Sequence, residues 1–403
     1  MILIIAWRNI WRNPLRSSVV ILAIIAGIAA LSFGFGFYNG FVVDFISNSI
    51  NSEYSHVQLH HPEFKKDREI QYWIDEPDLR IASIQSLEGV GPVTGRTIVN
   101  GMISSPSTAN GIIIYGVDPE HEATLTRLDS AVVEGKYFAK SRNAILISSK
   151  VAEQLKTKVR SKVVLTFQDK KGDIVAGAFR VAGIIETKSP RINQSVVYIR
   201  STDLRRIAQM EDQVHEIAFL LEDLVYQDTV LSQLKKSQDD LFIESWEELA
   251  PELKLVQSQV KINMGIILGI IMLALGFGIV NTMLMAVLER YKEIGVLMAV
   301  GMKKLNVFGM IMLETLMLAV VGGPIGFVLG VAIVEHYDTY GIDLTKYSEG
   351  LQAFGYEAIL YPKMGLDLYF MIAVGVVITT LLASIYPAIK AIKLKPIEAI
   401  RKL

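Results

Sequence analysis

Four stretches of this chain are free, or all but free, of charged side chains over lengths that a water-soluble fold rarely uses. Ser17 to Val43 and Ile262 to Leu288 each run for 27 residues, Leu368 to Ile389 for 22, and Leu305 to Val334 is broken only by Glu314. A bilayer core of about 30 Å is crossed by roughly 20 apolar helical residues, since in lipid every backbone amide must be satisfied within its own segment. Each stretch is therefore expected to be a transmembrane helix. Composition agrees: 20% of the residues are charged, against about 25% in soluble domains. The first stretch follows Arg8, Arg12 and Arg16, as the apolar part of a signal peptide would. It is much longer than the roughly 7 to 15 residues of such a region, and no small-x-small site closes it before Asp44. It is expected to be retained.

Orientation follows from the basic residues. Arg8, Arg12 and Arg16 precede the first span; Arg290, Lys292, Lys303 and Lys304 lie between the second and third; Lys390, Lys393, Lys395, Arg401 and Lys402 follow the fourth. Only Glu289, Glu293 and Glu398 oppose them. A net charge of -1 thus conceals one strongly basic face. The positive-inside rule puts both termini and the middle loop in the cytoplasm. The organisation expected is an interfacial amphipathic helix over 1–16, spans over 17–43, 262–288, 305–334 and 368–389, and an extracytoplasmic α/β domain with its stalk over 44–261. A cytoplasmic helix over 289–304, an external loop over 335–367 and a cytoplasmic tail over 390–403 complete it. The fold class is membrane α-helical, with the large outer domain inserted between helices 1 and 2.

The insertion alternates strand-like runs rich in β-branched residues with helical stretches. Strands are expected at Gly111–Val117, Ala144–Ser148, Lys162–Phe167, Ile174–Ile185 and Ser195–Arg200, and helices at Lys150–Lys156, Thr202–Met210 and Tyr226–Ser237. The chain contains no cysteine, so a domain of this size must hold by its core alone. That suits a bacterial envelope better than a eukaryotic cell surface. Ser245 and Glu248 have capping-box spacing, and a polar helical pattern runs from there toward the second span, as a rigid stalk would.

Catalytic chemistry finds little support. His56, His60 and His61 lack a second group to complete a metal site. Gly89 to Thr97 (GVGPVTGRT) imitates a phosphate loop but has Arg where Lys is needed, and it reads as a surface turn. No nucleic-acid signature is present.

Other features concern the membrane. Trp7 and Trp11 are four apart, as are Arg8, Arg12 and Arg16, which suits a helix in the headgroup layer ending at Asn13-Pro14. Gly322, Gly326 and Gly330 share a helix face and let another helix approach closely. Glu314 is an intramembrane carboxylate, expected to snorkel or to bond another helix near the interface rather than to take part in transport. Between spans two and three, ERYKEIGVLMAVG (Glu289–Gly301) makes a short amphipathic helix whose charges point away from Ile294, Leu297 and Met298, an apolar stripe that needs a partner groove.

That segment, followed by LETLMLAVVGGPIGFVLG, resembles the signature of FtsX-like permeases, the membrane subunits of MacB-type ABC transporters. The tail IYPAIKAIKLKPIEAIRKL, the start AWRNIWRNPLRS and the outer segments GIIIYGVDPEHE, VVEGKYF and FRVAGIIETKSPRINQSVVYI are similar to the same family, particularly to its lipoprotein-releasing LolC and LolE type. The resemblance implies a permease working by mechanotransmission: a separate ABC ATPase subunit, which binds ATP and Mg, pushes on the cytoplasmic loop, and the stalks carry the movement outward. This chain itself would hold no cofactor or metal and would not be an enzyme. By analogy Arg290, Lys292, Glu293, Ile294, Gly295 and Gly301 would contact the ATPase, and a second permease chain, identical or related, would complete the membrane part. An outer hairpin for a periplasmic carrier would fall at Lys188–Gln194, with Ser189, Pro190 and Arg191 as contacts. Relatives often have Asp where this chain has Asn193 or Gln194, and Arg160-Ser-Lys162 replaces a frequent Gly-Asp. The cargo implied is a lipoprotein, another amphiphile such as a peptide or antibiotic, or none, as in FtsX-like regulation of a cell-wall hydrolase.

Overall fold

The structure is a computed structural model that describes residues 2–138, 142–353, 356 and 358–393. The basic tail beyond Lys393, with Lys395, Arg401 and Lys402, lies outside them. The chain divides into two compact units, one of Met1–Val43, Gln257–Lys346 and Ile359–Leu403, the other of Asp44–Val256 and Tyr347–Ala358.

The first unit is helical. Among the described residues four helices are long and apolar enough to cross a membrane: the first runs from Pro14 through Tyr54, the second is Pro251–Glu289, the third Lys304–Tyr340 and the fourth Leu366–Ile392. An amino-terminal helix, Ile2–Arg12, stops at Asn13, and Pro14 opens the first long helix, where its missing N–H costs nothing. The glycine face sits where the first and third long helices touch. A Cβ on Gly326 would stand 3.0 Å from the Ile28 Cβ and 3.1 Å from the Ile25 Cα, and one on Gly330 would stand 2.7 Å from the Ser32 hydroxyl. Gly322 likewise faces Ile21 and Ile24. In lipid such packing rests on dispersion between close backbones.

The second unit is built on a ten-stranded sheet: β1 (Val57–His60), β2 (Val90–Ser104), β3 (Ala109–Val117), β4 (Val132–Gly135), β5 (Ala144–Ser148), β6 (Lys162–Gln168), β7 (Ile174–Ile185), β8 (Val196–Arg200), β9 (Glu216–Leu221) and β10 (Phe242–Ser245). Six strands close on themselves: β2 pairs β3 and β6, β3 pairs β8, β8 pairs β5, β5 pairs β7, and β7 pairs β6. The ring is filled by Ile103, Ile114, Ile147, Leu165, Phe179 and Ile199, with others. The amino-terminal half of β2 leaves the ring to pair β9, continuing through β1 to β10. A second core of Leu59, Ile74, Ile84, Ile217, Phe219 and Val230 lies there.

Two expectations are corrected. Gly89–Thr97 is not a surface turn. Past Gly89, whose φ is 82°, it enters the long central strand β2, and Thr94, Arg96 and Thr97 are buried. Gly91 and Pro92 fall at an irregularity in the β2–β9 register between Val90 and Val93, where a proline without an N–H is tolerated. The stalk does not begin at Ser245 either. Ser245 and Glu248 form the capping box, but it starts only the short helix Trp246–Leu249; Ala250 is non-helical and the second long helix begins at Pro251. A proline disfavours helical backbone in the residue before it.

Arg96 anchors a buried charge network. It gives Glu122 two hydrogen bonds, of 2.9 and 2.7 Å, and Glu216 one of 2.7 Å, while the His60 ring lies 3.1 Å from the other Glu216 oxygen. Burial would push Glu216 up, but the hydrogen bond with His60 and the Arg96 charge outweigh it and hold the carboxyl at about 2. Burial likewise opposes the charge on Arg96, and its two carboxylates hold it well above the usual arginine range. Next in chain, His215 is pushed down to about 4 by burial, against the partly restoring bond to the Ile70 carbonyl.

Candidate functional site: the loop helix and its support

The segment between the second and third long helices is a helix, Tyr291–Ala299. It stops at Val300, after which the Gly301 N–H reaches the Met298 carbonyl at 3.2 Å and the Met302 N–H reaches that of Leu297 at 3.0 Å. Those two bonds close a Schellman turn, which requires a left-handed residue at its centre. Gly301 supplies it with φ 106°. Its role in this chain is thus to end the helix sharply.

Three arginines fix the helix. Arg290, just before it, turns inward and bonds Glu314 of the third long helix at 3.0 and 3.3 Å, and its second nitrogen donates to the Asn9 carbonyl at 2.9 Å. This pair is nearly enclosed, with side chains 12% and 8% exposed. Removing one member of such a pair leaves an uncompensated charge, at a cost of about 3–5 kcal/mol. Glu314 thus bonds Arg290, the residue that joins the second long helix to the loop helix. Arg12 forks onto Glu293 with bonds of 2.7 and 2.6 Å, but both groups are about half exposed, so that pair adds orientation more than stability. Arg16 pairs with Glu289.

The amino-terminal helix completes the support. Ala6 and Ile10 are buried and the helix packs on the third long helix, leaving Leu3, Ile4, Trp7 and Trp11 exposed. The two indoles meet edge to face at 5.9 Å. Between this helix and the loop lies a pocket of about 490 Å³, lined by Ile5, Met283, Val287, Ile294, Leu297 and Met310 among others.

The residues assigned to ATPase contact do not share one surface. Ile294 and Gly295 are buried in the chain's own packing, and Arg290 is committed to Glu314. Lys292, Glu293 and Gly301 are exposed. Val296 and Val300, four apart and 48% and 83% exposed, form the apolar stripe on the outward face. The stripe expected from the sequence, Ile294, Leu297 and Met298, is instead buried or half-buried, because Ile294 turns into the chain's own packing and carries its helix neighbours with it.

Ser189, Pro190 and Arg191 belong to the other unit. The expected hairpin at Lys188–Gln194 is instead a short helix, Pro190–Ser195, inside the crossover from β7 to β8, which are not neighbours in the sheet. Ser189 caps it and Pro190 opens it, a combination that favours helix over a two-strand turn. Glu53, at the end of the first long helix, accepts a hydrogen bond from the Ser189 hydroxyl and forms an ion pair with Arg191. His60 lies on β1 and His56 just before it; the described residues contain no group able to hold a metal.

Residues 17–237, more than half of the chain, match the family model of the MacB-like periplasmic core domain, and residues 265–396 match that of the FtsX-like permease C-terminal domain. The chain is an FtsX-like permease of the MacB superfamily. The permease is 26% identical over 235 residues to the macrolide export ATP-binding/permease protein MacB of Nitrobacter winogradskyi, a match covering 57% of this chain and 34% of that protein. It thus spans about a third of that relative. It is 22% identical to the lipoprotein-releasing system transmembrane protein LolE of Haemophilus influenzae, over 82% of this chain and 81% of LolE. The periplasmic region of MacB from Actinobacillus actinomycetemcomitans aligns with 54% of this chain and 97% of its own length, at 12% identity and a TM-score of 0.37.

Proposed function

We propose that the chain is the membrane subunit of an ABC transporter of the bacterial cytoplasmic membrane that works by mechanotransmission. An ATPase on a separate chain docks on the loop helix, and a second permease chain completes the assembly. The termini and the loop helix face the cytoplasm, and the sheet unit faces the periplasm. The observation that carries this reading is the loop helix itself. It presents Val296 and Val300 outward while Arg290 and Glu314 lock its base to a long apolar helix. A push on the outer face then has a stiff route into the helices, since the base cannot give without stranding a charge. Hydrolysis of ATP belongs to the partner.

The cargo in this reading is lipoprotein leaving the inner membrane, because the likeness to LolE runs along most of both chains. Export of another amphiphile is the second reading, favoured by the name of the MacB relative. The test is to purify the permease with its ATPase from cells carrying Val296→Asp with Val300→Asp. Recovery of the ATPase is expected to fall about tenfold, since two apolar contacts are lost. Undiminished recovery would remove the loop helix from the interface. Release of an acylated protein from proteoliposomes, set against ATP-dependent tolerance of amphiphilic drugs, separates the two cargoes.

A further inference from the structure

The first long helix ends in a five-residue π-turn, Ile50–Tyr54, closed by the Ser55 N–H on the Ile50 carbonyl at 2.6 Å. Ser55 then adopts φ 57° and ψ 176° while 1% exposed, a conformation otherwise left to glycine. Such turns and outliers cost free energy and persist only where their surroundings hold them.

Glu53 is in the middle of what holds this one. Its carboxylate is 7% exposed, accepts a bond from the Ser189 hydroxyl and pairs with Arg191. The same Ser189 oxygen caps the short helix, accepting the Ile192 N–H at 3.3 Å. One turn earlier, Asn48 accepts a bond from Lys188 at 3.1 Å, and the Arg191 guanidinium lies 5.9 Å from the centre of the Tyr54 ring. Beyond the contact the short helix is stiff. The Asn193 side chain accepts from the Thr187 N–H and hydroxyl at 2.9 Å each and donates to the Thr187 carbonyl at 2.7 Å, and Ile192 is buried beside Val196 and Tyr198. The Tyr54 hydroxyl donates to Glu252, near the start of the second long helix, at 3.3 Å.

We propose that Glu53 is a positioning residue that ties the helix Pro190–Ser195, and through it the closed six-strand ring, to the end of the first long helix. A displacement of that helix end then moves the ring as well as the local turn. What the movement serves rests on the transport reading; the tie does not.

The chain has no cysteine, so introduced thiols are unambiguous. Full-length protein in lipid nanodiscs would be compared as wild type, Glu53→Gln, Asn51→Ala and Glu53→Cys with Arg191→Cys. Asn51 lies in the same turn but bonds Ser47 of its own helix. Glu53→Gln is expected to speed amide exchange across residues 187–195 about tenfold, as the loss of one charge-assisted bond implies, while Asn51→Ala leaves that segment unchanged. The cysteine pair should be equally loose when free and return to the wild-type rate when joined by a short bifunctional thiosulfonate. Unchanged exchange in Glu53→Gln, or no recovery on bridging, overturns the tie. In a complex with the ATPase, nucleotide should alter exchange at both 291–301 and 187–195 in wild type and only at 291–301 in Glu53→Gln. An undiminished response at 187–195 in the variant would also overturn it. A wild-type complex with no nucleotide response anywhere would instead count against the transport reading, and the nanodisc result would still decide the tie.

Discussion

Buried charge sets how the sheet unit responds to acid. Glu216 is held at about 2 against about 4.3 for a free glutamate. Its contribution to stability is present above the unfolded value and is lost as pH falls through the folded one. His215, held at about 4 against about 6.5 when free, acts in the same direction over a higher window, because the unfolded chain gains that proton first. Amide-exchange protection factors in β9 and in the amino-terminal half of β2 of the full-length protein, which remove the intrinsic pH dependence of exchange, should therefore fall in two stages, between about pH 6.5 and 4 and again below about 4. His215→Gln should shrink the upper stage, which it shares with His56, a ring also held down by burial and bonded to the Leu221 N–H of β9, and Glu216→Gln should shrink the lower. Exchange with a single stage in the wild type would contradict these assignments. Glu216 was not legible as part of a network in the sequence, because Arg96 meets its partners 26 and 120 positions away, and the His215 ring bonds backbone groups 117 and 145 positions away. Gly301 was noticed, but as a contact; its left-handed conformation shows only once the two bonds around it are seen.

Elements were far more legible than their pairings. The strands Ala144–Ser148 and Ile174–Ile185 have the bounds that their β-branched runs suggest, since local composition carries most of that signal. The strand β2 was hidden because Gly89, Gly91 and Pro92 mark a turn by every local rule, and only pairing with β9 across the irregularity overrides them. The glycine face of the third long helix was visible from its spacing, but the partner it admits was not. Gly326→Leu should force the first and third long helices apart and lower the stability of detergent-solubilised protein by about 1–3 kcal/mol, the usual cost of overpacking. Gly309→Ala, in the same helix with nothing within 4 Å of the added carbon, should leave it unchanged. Equal losses in a thermal unfolding series would mean that close approach is not what position 326 supplies.

For the whole molecule, the sequence prescribes the number of apolar helices and one large insertion, because length and hydropathy alone decide these. Orientation rests on the positive-inside rule, and the cysteine-free chain makes it directly measurable. Single-cysteine variants Lys292→Cys and Asp239→Cys, on exposed positions in the loop helix and the sheet unit, should differ in intact cells whose outer membrane has been permeabilised. A membrane-impermeant maleimide is expected to label Asp239→Cys at once and Lys292→Cys only after lysis. The reverse pattern would invert the topology and with it the site of ATPase docking.

The closed ring of six strands has one more outcome. Most of its backbone amides and carbonyls are spent on one another around the circle, leaving two stretches with a strand partner on one side alone, 109–112 of β3 and 174–179 of β7. Among the described residues β10 and β4, four residues each, are the strands of the ten-stranded sheet with a single partner, so hydrogen-bonded annexation by a foreign segment is limited to those short hems and the two one-sided stretches. Over the rest of the ring a partner must grip by fitting side chains, which makes recognition there selective.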